Sequence, residues 1–550
     1  MNGSIEKGLV EIQYSPRIEK FSTDNFVFED DQFKIVCEGM IVNSADLLNK
    51  YHCAGLQDVI RSIMTESDFA SLLQAFCGNF VICCYDKAVG KLYLGNDLLS
   101  KRPVYYYGGS TFLFDSSFFG LTETAKRLGL PLDISQRGAM EMLRLHSFLL
   151  DHTYVTQIRF LEPYQYIVAD IQSGDTRVVD IPIVLPQNMG KDEDAAIEKL
   201  NSIFSEYCRK MLTKSTHAGF RTCFSISGGM DSRAVLYQTI PWMEESSRMP
   251  LCFSYGAANC MDLRIASRIA EEKGCDLHIQ ELSDGSFLLD REELLSRNEG
   301  QMYYCGTTGL LGAIKALNTQ EIGVVFSGLG GGEIMGDIDV DVPDRTAETE
   351  MFHQLFGKVC TSQAEIQELT EHAMEKYHSY NTFFHFMDLR VNNNFRLTAG
   401  ADFEVFSPFL QEDFFIQTLS IPLKWKKERK FYLKWFSGYM RSDIPTISGI
   451  GKIREIKYPW MVTLRVYAIA AHKRLFGIRS KWNMNPLKEW VDASPELQEK
   501  LSSMFLEDID AIKAKEPQMS AFCRREFDAS DALQKLYVLT LSGVLRRIIR

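Results

Sequence analysis

Over the first third of the chain, apolar positions come in short runs and alternations too brief for helices. Segments 33–40, 79–85, 91–95, 104–107 and 165–170 carry β-branched and aromatic residues between turn formers and predict strands. Segments 56–64, 71–76 and 135–149 instead predict helices. Residues 181–194 turn to proline and then to polar and charged side chains, as a linker does. A long amphipathic helix is expected over 194–212, and strands then alternate with helices: strand 223–227, helix 233–238, strand 251–255, helix 262–273 stopped by Gly274, and strands 276–282 and 321–327. Beyond about residue 345 the pattern is mostly helical. The alternation in the second part argues for a parallel sheet covered on both faces, with ligands at the carboxyl ends of its strands. We expect an α/β chain of two domains, 1–185 and 186–550.

The strand expected at 223–227 breaks into Ser227-Gly228-Gly229-Met230-Asp231-Ser232-Arg233. Two glycines remove side chains and let backbone N–H groups close around an anion. Ser227 and Ser232 add hydroxyl donors, and the helix that follows presents its positive end. Asp231 repels a bare phosphate, so its presence calls for a bridging Mg²⁺. A Gly-Gly turn can also be purely structural; the strand before and the helix after favour the phosphate reading. The turn resembles the pyrophosphate loop of N-type ATP pyrophosphatases. No lysine follows the glycines, which separates it from the loop of kinases and GTPases.

Composition narrows the partners. The chain has 550 residues, 45% hydrophobic and 24% charged, the profile of an ordinary globular protein. A net charge of −12 argues against nucleic acid as the main partner. No apolar run reaches the roughly 18 residues that suggest a membrane span, and the first residues lack a signal-peptide core. Thirteen cysteines lie scattered without metal-ligand spacing, so a reducing cytoplasm is the expected setting. Adjacent Cys83 and Cys84 are expected on opposite faces of one strand. The ten histidines include no zinc motif.

Several landmarks in order resemble the asparagine synthetase family. Gly78 to Asp86 is similar to its strand ending in Trp/Tyr-Asp, and Asp97-Leu-Leu-Ser-Lys101-Arg-Pro103-Val-Tyr105 to its D-x-x-G-x-K-P-L-Y segment. Phe253-Ser254-Tyr-Gly256, with Asp262, Ala266, Ala270 and His278, resembles the strand–helix–strand after the phosphate loop. Ser327-Gly328-Leu329-Gly330-Gly331-Gly332-Glu333 through Gly336 resembles S-G-E-G-x-D-E-L-F-G-G, and Phe406 to Leu410 resembles V-P-F-L. Lys430 to Lys434, Ile444-Pro445 and Lys452 follow K-x-x-L-R, L-P and K, although Lys424, Lys426, Lys427 and Arg429 crowd the first of these and leave its register open.

The resemblance implies an N-terminal Ntn-hydrolase-like αββα sandwich, followed by a parallel-sheet PP-loop domain of the adenine nucleotide α hydrolase type with a helical C-terminal part. It implies ATP and Mg²⁺ as cofactors and small-molecule or peptide carboxylates and amines as substrates, with a homodimer as one assembly open to the chain. It assigns nucleotide binding to Ser227, Gly228, Gly229, Asp231, Ser232, Arg233, Ser254 and Gly328, magnesium to Asp231, and catalysis to Glu333 and Lys452. By the residues alone, Arg233 is either a phosphate or carboxylate ligand or a surface residue of its helix, and Lys452 either a phosphate contact or a solvated loop charge.

The chain departs from the family twice. Position 2 is Asn2 rather than the nucleophilic cysteine, the earliest cysteine is Cys37, and the family's Asn-Gly becomes Glu38-Gly39. Glutaminase activity is therefore expected to be absent. In the second glycine-rich turn the family's Glu falls on Leu329 and its Asp on Gly332, leaving Glu333. The expected function is an ATP-dependent amide ligase that adenylates a carboxylate without using glutamine. The alternatives are an asparagine synthetase fed by free ammonia and a nucleotide-binding pseudoenzyme.

Overall fold

The computed structural model describes residues 1–6, 9–14, 20–108, 111–187, 189–243, 248–440, 442–444 and 483–550. Its first part holds strands β1 (Asn2–Glu6), β2 (Leu9–Gln13), β3 (Phe26–Glu29), β4 (Phe33–Ile41), β5 (Gly78–Asp86), β6 (Lys91–Asn96), β7 (Tyr105–Tyr107), β8 (Phe112–Asp115), β9 (Ile158–Phe160), β10 (Gln165–Asp170) and β11 (Thr176–Asp180). They form two antiparallel sheets, ordered β2-β1-β8-β7-β9 and β11-β10-β6-β5-β4-β3. Val36, Val81, Cys83 and Leu94 of the larger sheet share a core with Met1, Ile5, Phe112 and Phe114. Ile35, Cys37, Ile82 and Cys84 instead join a cluster with Val59, Ile63, Phe69 and Leu72 of the helices Leu56–Glu66 and Phe69–Ala75. Period-two alternation thus sends Cys83 and Cys84 to opposite faces, as expected.

The second part is built on β12 (Cys223–Ser225), β13 (Leu251–Ala257), β14 (Asp276–Leu282), β15 (Val324–Phe326) and β16 (Glu404–Phe406), all parallel and ordered β14-β13-β12-β15-β16. Cys223 packs into one cluster and Phe224 into another, so β12 is covered on both faces and reads as a continuous apolar run. Helix Glu193–His217 exceeds its expected span at the carboxyl end, and Leu200, Phe204 and Met211 carry the core across from the first part to the parallel sheet. Gly274, at φ +63°, ends helix Met261–Lys273.

Among the described residues, seven strands escape the pattern reading: β1, β2, β3, β8, β9, β11 and β16. All seven are three to five residues long, too short for a period to declare itself. Three C-terminal helices, Pro495–Lys513, Pro517–Ala529 and Ala532–Ile549, return to pack Leu536 and Leu539 with Tyr105, Leu113 and Phe118 of the first part.

Candidate active site

From β12 the chain runs outward through β13 to β14, then crosses back to β15 and β16 on the other side. Such a reversal opens a crevice at the carboxyl ends of the two central strands. The Ser227–Ser232 turn leaves β12 there, and the Ser327–Gly332 turn leaves its neighbour β15. The two turns touch main chain to main chain. A Cβ on Gly328 would stand 2.3 Å from the Ser232 nitrogen, and one on Gly331 would stand 2.7 Å from the Asp231 Cβ. Only glycine permits that approach.

Around this contact the donors are gathered. The Ser227 and Ser232 hydroxyls lie 3.2 Å apart, the Ser227 amide donates to Ser232 Oγ at 3.1 Å, and the Gly229 amide donates to Ser227 Oγ at 3.2 Å. The Gly228 amide is committed elsewhere, to Asp262 Oδ1 at 3.0 Å. Helix Asp231–Thr239 starts from this turn with its positive end in the crevice. Ser254 lies buried on β13. Arg233 is fully buried and donates to the Ile444 carbonyl at 2.7 Å, which corrects its reading as a surface residue. Lys452, with the 448–451 loop before it, lies outside the described residues.

Asp231 accepts a hydrogen bond from the Tyr432 hydroxyl. Burial pushes its carboxyl up to about 6; the charges of Glu333 and Asp337 push the same way, while the Tyr432 hydroxyl and the Gly332 amide oppose. Asp388, on helix Tyr380–Ala399, is raised to about 7 by burial and by Glu333. The charge of Glu333 thus acts on both carboxyl groups. Leu329 is partly buried against the core, and its carbonyl accepts from Ser407 Oγ at 2.7 Å. Sequence reading misses Tyr432, Asp337 and Asp388. The first two adjoin motif positions, whereas Asp388 sits in an ordinary helical stretch that carries no local signal.

Among the described residues, no three His, Cys, Asp or Glu side chains gather as a ready-made metal site. A phosphate-bridged magnesium needs less, since one or two carboxylates suffice when phosphate and water complete its shell. Asp231, pressed against a cradle that a Cβ at Gly331 would fill, fits that role.

At the start of the chain, the Met1 amine is buried and pairs with Glu38 Oε2 at 2.7 Å, and it contacts Ser116 Oγ at 3.1 Å. Arg102 donates to Glu38 Oε1 at 2.8 Å and, through its other terminal nitrogen, to Glu404 of β16. Cys37 is fully buried, and burial drives its thiol well above the usual range. It is an inert core thiol.

Residues 18–178 match a glutamine amidotransferase domain. A protein of Methanocaldococcus jannaschii with the provisional name asparagine synthetase [glutamine-hydrolyzing] 2 is 24% identical over 242 residues, 42% of this chain and 45% of that protein. The chain thus spans under half the length of this curated relative. Two solved structures, an allosteric regulatory enzyme of purine biosynthesis and the glutamine phosphoribosylpyrophosphate amidotransferase of B. subtilis complexed with ADP and GMP, align with 46% of this chain and 62% of their own. Identity is 10% and the TM-score 0.21 in both cases, too low to bear on the fold. By sequence, then, the chain is similar to amidotransferases and to asparagine synthetase-like proteins. Among the described residues no helix is long and apolar enough to cross a membrane.

Proposed function

We propose that the chain is an ATP-dependent amide ligase that forms AMP and pyrophosphate and takes no nitrogen from glutamine. The observation that carries this reading is the main-chain contact between two glycine-rich turns at the reversal of the parallel sheet, with Ser227, Ser232 and the start of a helix around it. A carboxylate is a poor electrophile, and transfer to AMP supplies a leaving group that an amine then displaces. Ser227 and Ser232 hold the pyrophosphate portion, joined by the Gly229 amide once it exchanges Ser227 Oγ for a phosphate oxygen, and Gly328 keeps the second turn close enough to share it. Magnesium, when bound, offsets the negative charge that gathers on the phosphates. The fold this reading implies is an Ntn-type sandwich followed by a PP-loop domain.

The glutamine-independent part rests on Glu38. Its carboxylate occupies the place of the family's Asn, is held by the Met1 amine and Arg102, and would repel an oxyanion. Leu329, packed against the core, disfavours ordinary asparagine formation, because the acid expected there has become an apolar contact. Exchange of labelled pyrophosphate into ATP, with Mg²⁺ and a panel of carboxylates, tests the reading. Exchange supports adenylation; nucleotide binding without exchange under any carboxylate favours the pseudoenzyme, and failure to bind nucleotide ends both enzyme readings.

A further inference from the structure

Position 332 is where the resemblance expects an acid and the chain has glycine. A Cβ built on Gly332 would lie 2.6 Å from Asp337 Oδ2 and 3.7 Å from Asp231 Oδ2. The room left by the missing side chain is therefore filled by another carboxylate, and an oxygen of Asp231 borders the same space.

The backbone accounts for this placement. Residues 332 and 337 are five apart, the interval closed by one π turn, and Glu333–Asp337 forms such a turn. Gly336, at φ +122°, completes the bend against Lys426, whose Cβ would lie 2.8 Å from any Cβ on that glycine. Lys426 is itself anchored, with Nζ 3.1 Å from Asp339 Oδ2, while Asp339 Oδ1 lies 3.0 Å from His385 Nε2. These three side chains are almost entirely buried, so the platform behind the turn is rigid. From the solvent side, Arg429 donates to Asp337 Oδ2 at 2.5 Å.

We propose that Asp337 replaces position 332 as the second carboxylate beside Asp231 and, with it, holds the magnesium that bridges the phosphates of ATP. This rests on reading the site as an ATP site. The turn has lost its acid in sequence and regained one in space. A divalent ion held there would compete with Arg429 for Asp337 Oδ2.

Calorimetric titration of the full chain with a non-hydrolysable ATP analogue, with and without Mg²⁺, tests the assignment. In the unaltered protein Mg²⁺ is expected to tighten binding at least tenfold. Asp337→Asn should reduce that gain to less than about twofold, while binding without metal is unchanged or tighter because Arg429 is freed. Mn²⁺ resonance spectra in the presence of the analogue should show the same loss of ion affinity. Asp337→Cys guards against a folding artefact: Mg²⁺ should no longer help, but Cd²⁺, which prefers thiolate, should restore the gain. A full Mg²⁺ gain in Asp337→Asn overturns the proposal and leaves the ATP site intact. Loss of both the Mg²⁺ and Cd²⁺ gains in Asp337→Cys also overturns it, by pointing to a structural role. Absence of nucleotide binding in the unaltered protein removes the ATP reading and this proposal with it.

Discussion

Glu38 and Asp231 are both carboxylates set among closely approaching backbones, yet their surroundings are opposite. Glu38 lies between the Met1 amine and Arg102, and Arg102 continues to Glu404 on the edge of the parallel sheet. Asp231 has a tyrosine hydroxyl and a main-chain amide as partners, and acids, Glu333 and Asp337, as charged neighbours. The first cluster is closed: charge meets charge, and the chain of contacts ties the two halves of the molecule. The second is open, with like charges gathered and a carboxyl raised to about 6. Acids gathered around a carboxyl that has no cation of its own among the described residues, with only Arg429 on Asp337 to offset them, are the character of a site that waits for a ligand. Glu162 sharpens the contrast. Burial pushes its carboxyl up, but Lys376, His372 and the Tyr377 hydroxyl outweigh that and hold it at about 2.

The comparison is most directly broken at the open site. Ser232→Ala is expected to lower pyrophosphate exchange on the order of a hundredfold, because the hydroxyl that bridges the turn is lost. Unchanged exchange would remove the phosphate role of the turn. Glu38→Ala should be the most damaging change to stability, about 3–5 kcal/mol by urea unfolding, since it takes the carboxylate from the buried Met1 amine and leaves Arg102 with Glu404 alone. A loss below about 1 kcal/mol would mean the closed cluster is not closed.

The pH dependence separates the two kinds of acid. Glu162 is depressed in the folded state, so its contribution is present above the usual carboxylate range near 4.5 and is lost as pH falls toward 2. Glu162→Gln should therefore cost on the order of 2 kcal/mol at pH 7 and little at pH 2, read from unfolding at each pH. Asp231 is raised, so its ionised form costs stability as pH climbs from about 4 through 6. Asp231→Asn should stabilise by about 1–2 kcal/mol at pH 7 and not at pH 4, while abolishing exchange. Equal effects at both pH values would refute the raised carboxyl. The smallest effect belongs to Asn2→Ala, which should leave exchange unchanged and produce no glutamate from glutamine; a clear loss would contradict the inactive glutaminase site.

The sequence by itself determined much of the scaffold. Periodicity located β4, β5, β6 and β10, the β12–β14 alternation and the helix stopped at Gly274, because burial on one face or on both imposes a period that local residues must obey. The Ser-Gly-Gly-x-Asp-Ser turn was legible because close backbone contact restricts residue type at each position. The tertiary structure alone decided which strands are neighbours, and hence that the two glycine-rich turns meet at the reversal of the sheet. It also decided the partners of each charge. Glu38 meets the Met1 amine 37 residues away, Arg102 reaches Glu404 across 302, and Tyr432 finds Asp231 across 201. Asp337, read in sequence as one more residue past a motif, fills the space of Gly332 only because a π turn folds it back. Short-range pattern records what the backbone must satisfy locally, whereas charge pairing and the filling of space depend on distances that only the folded chain sets.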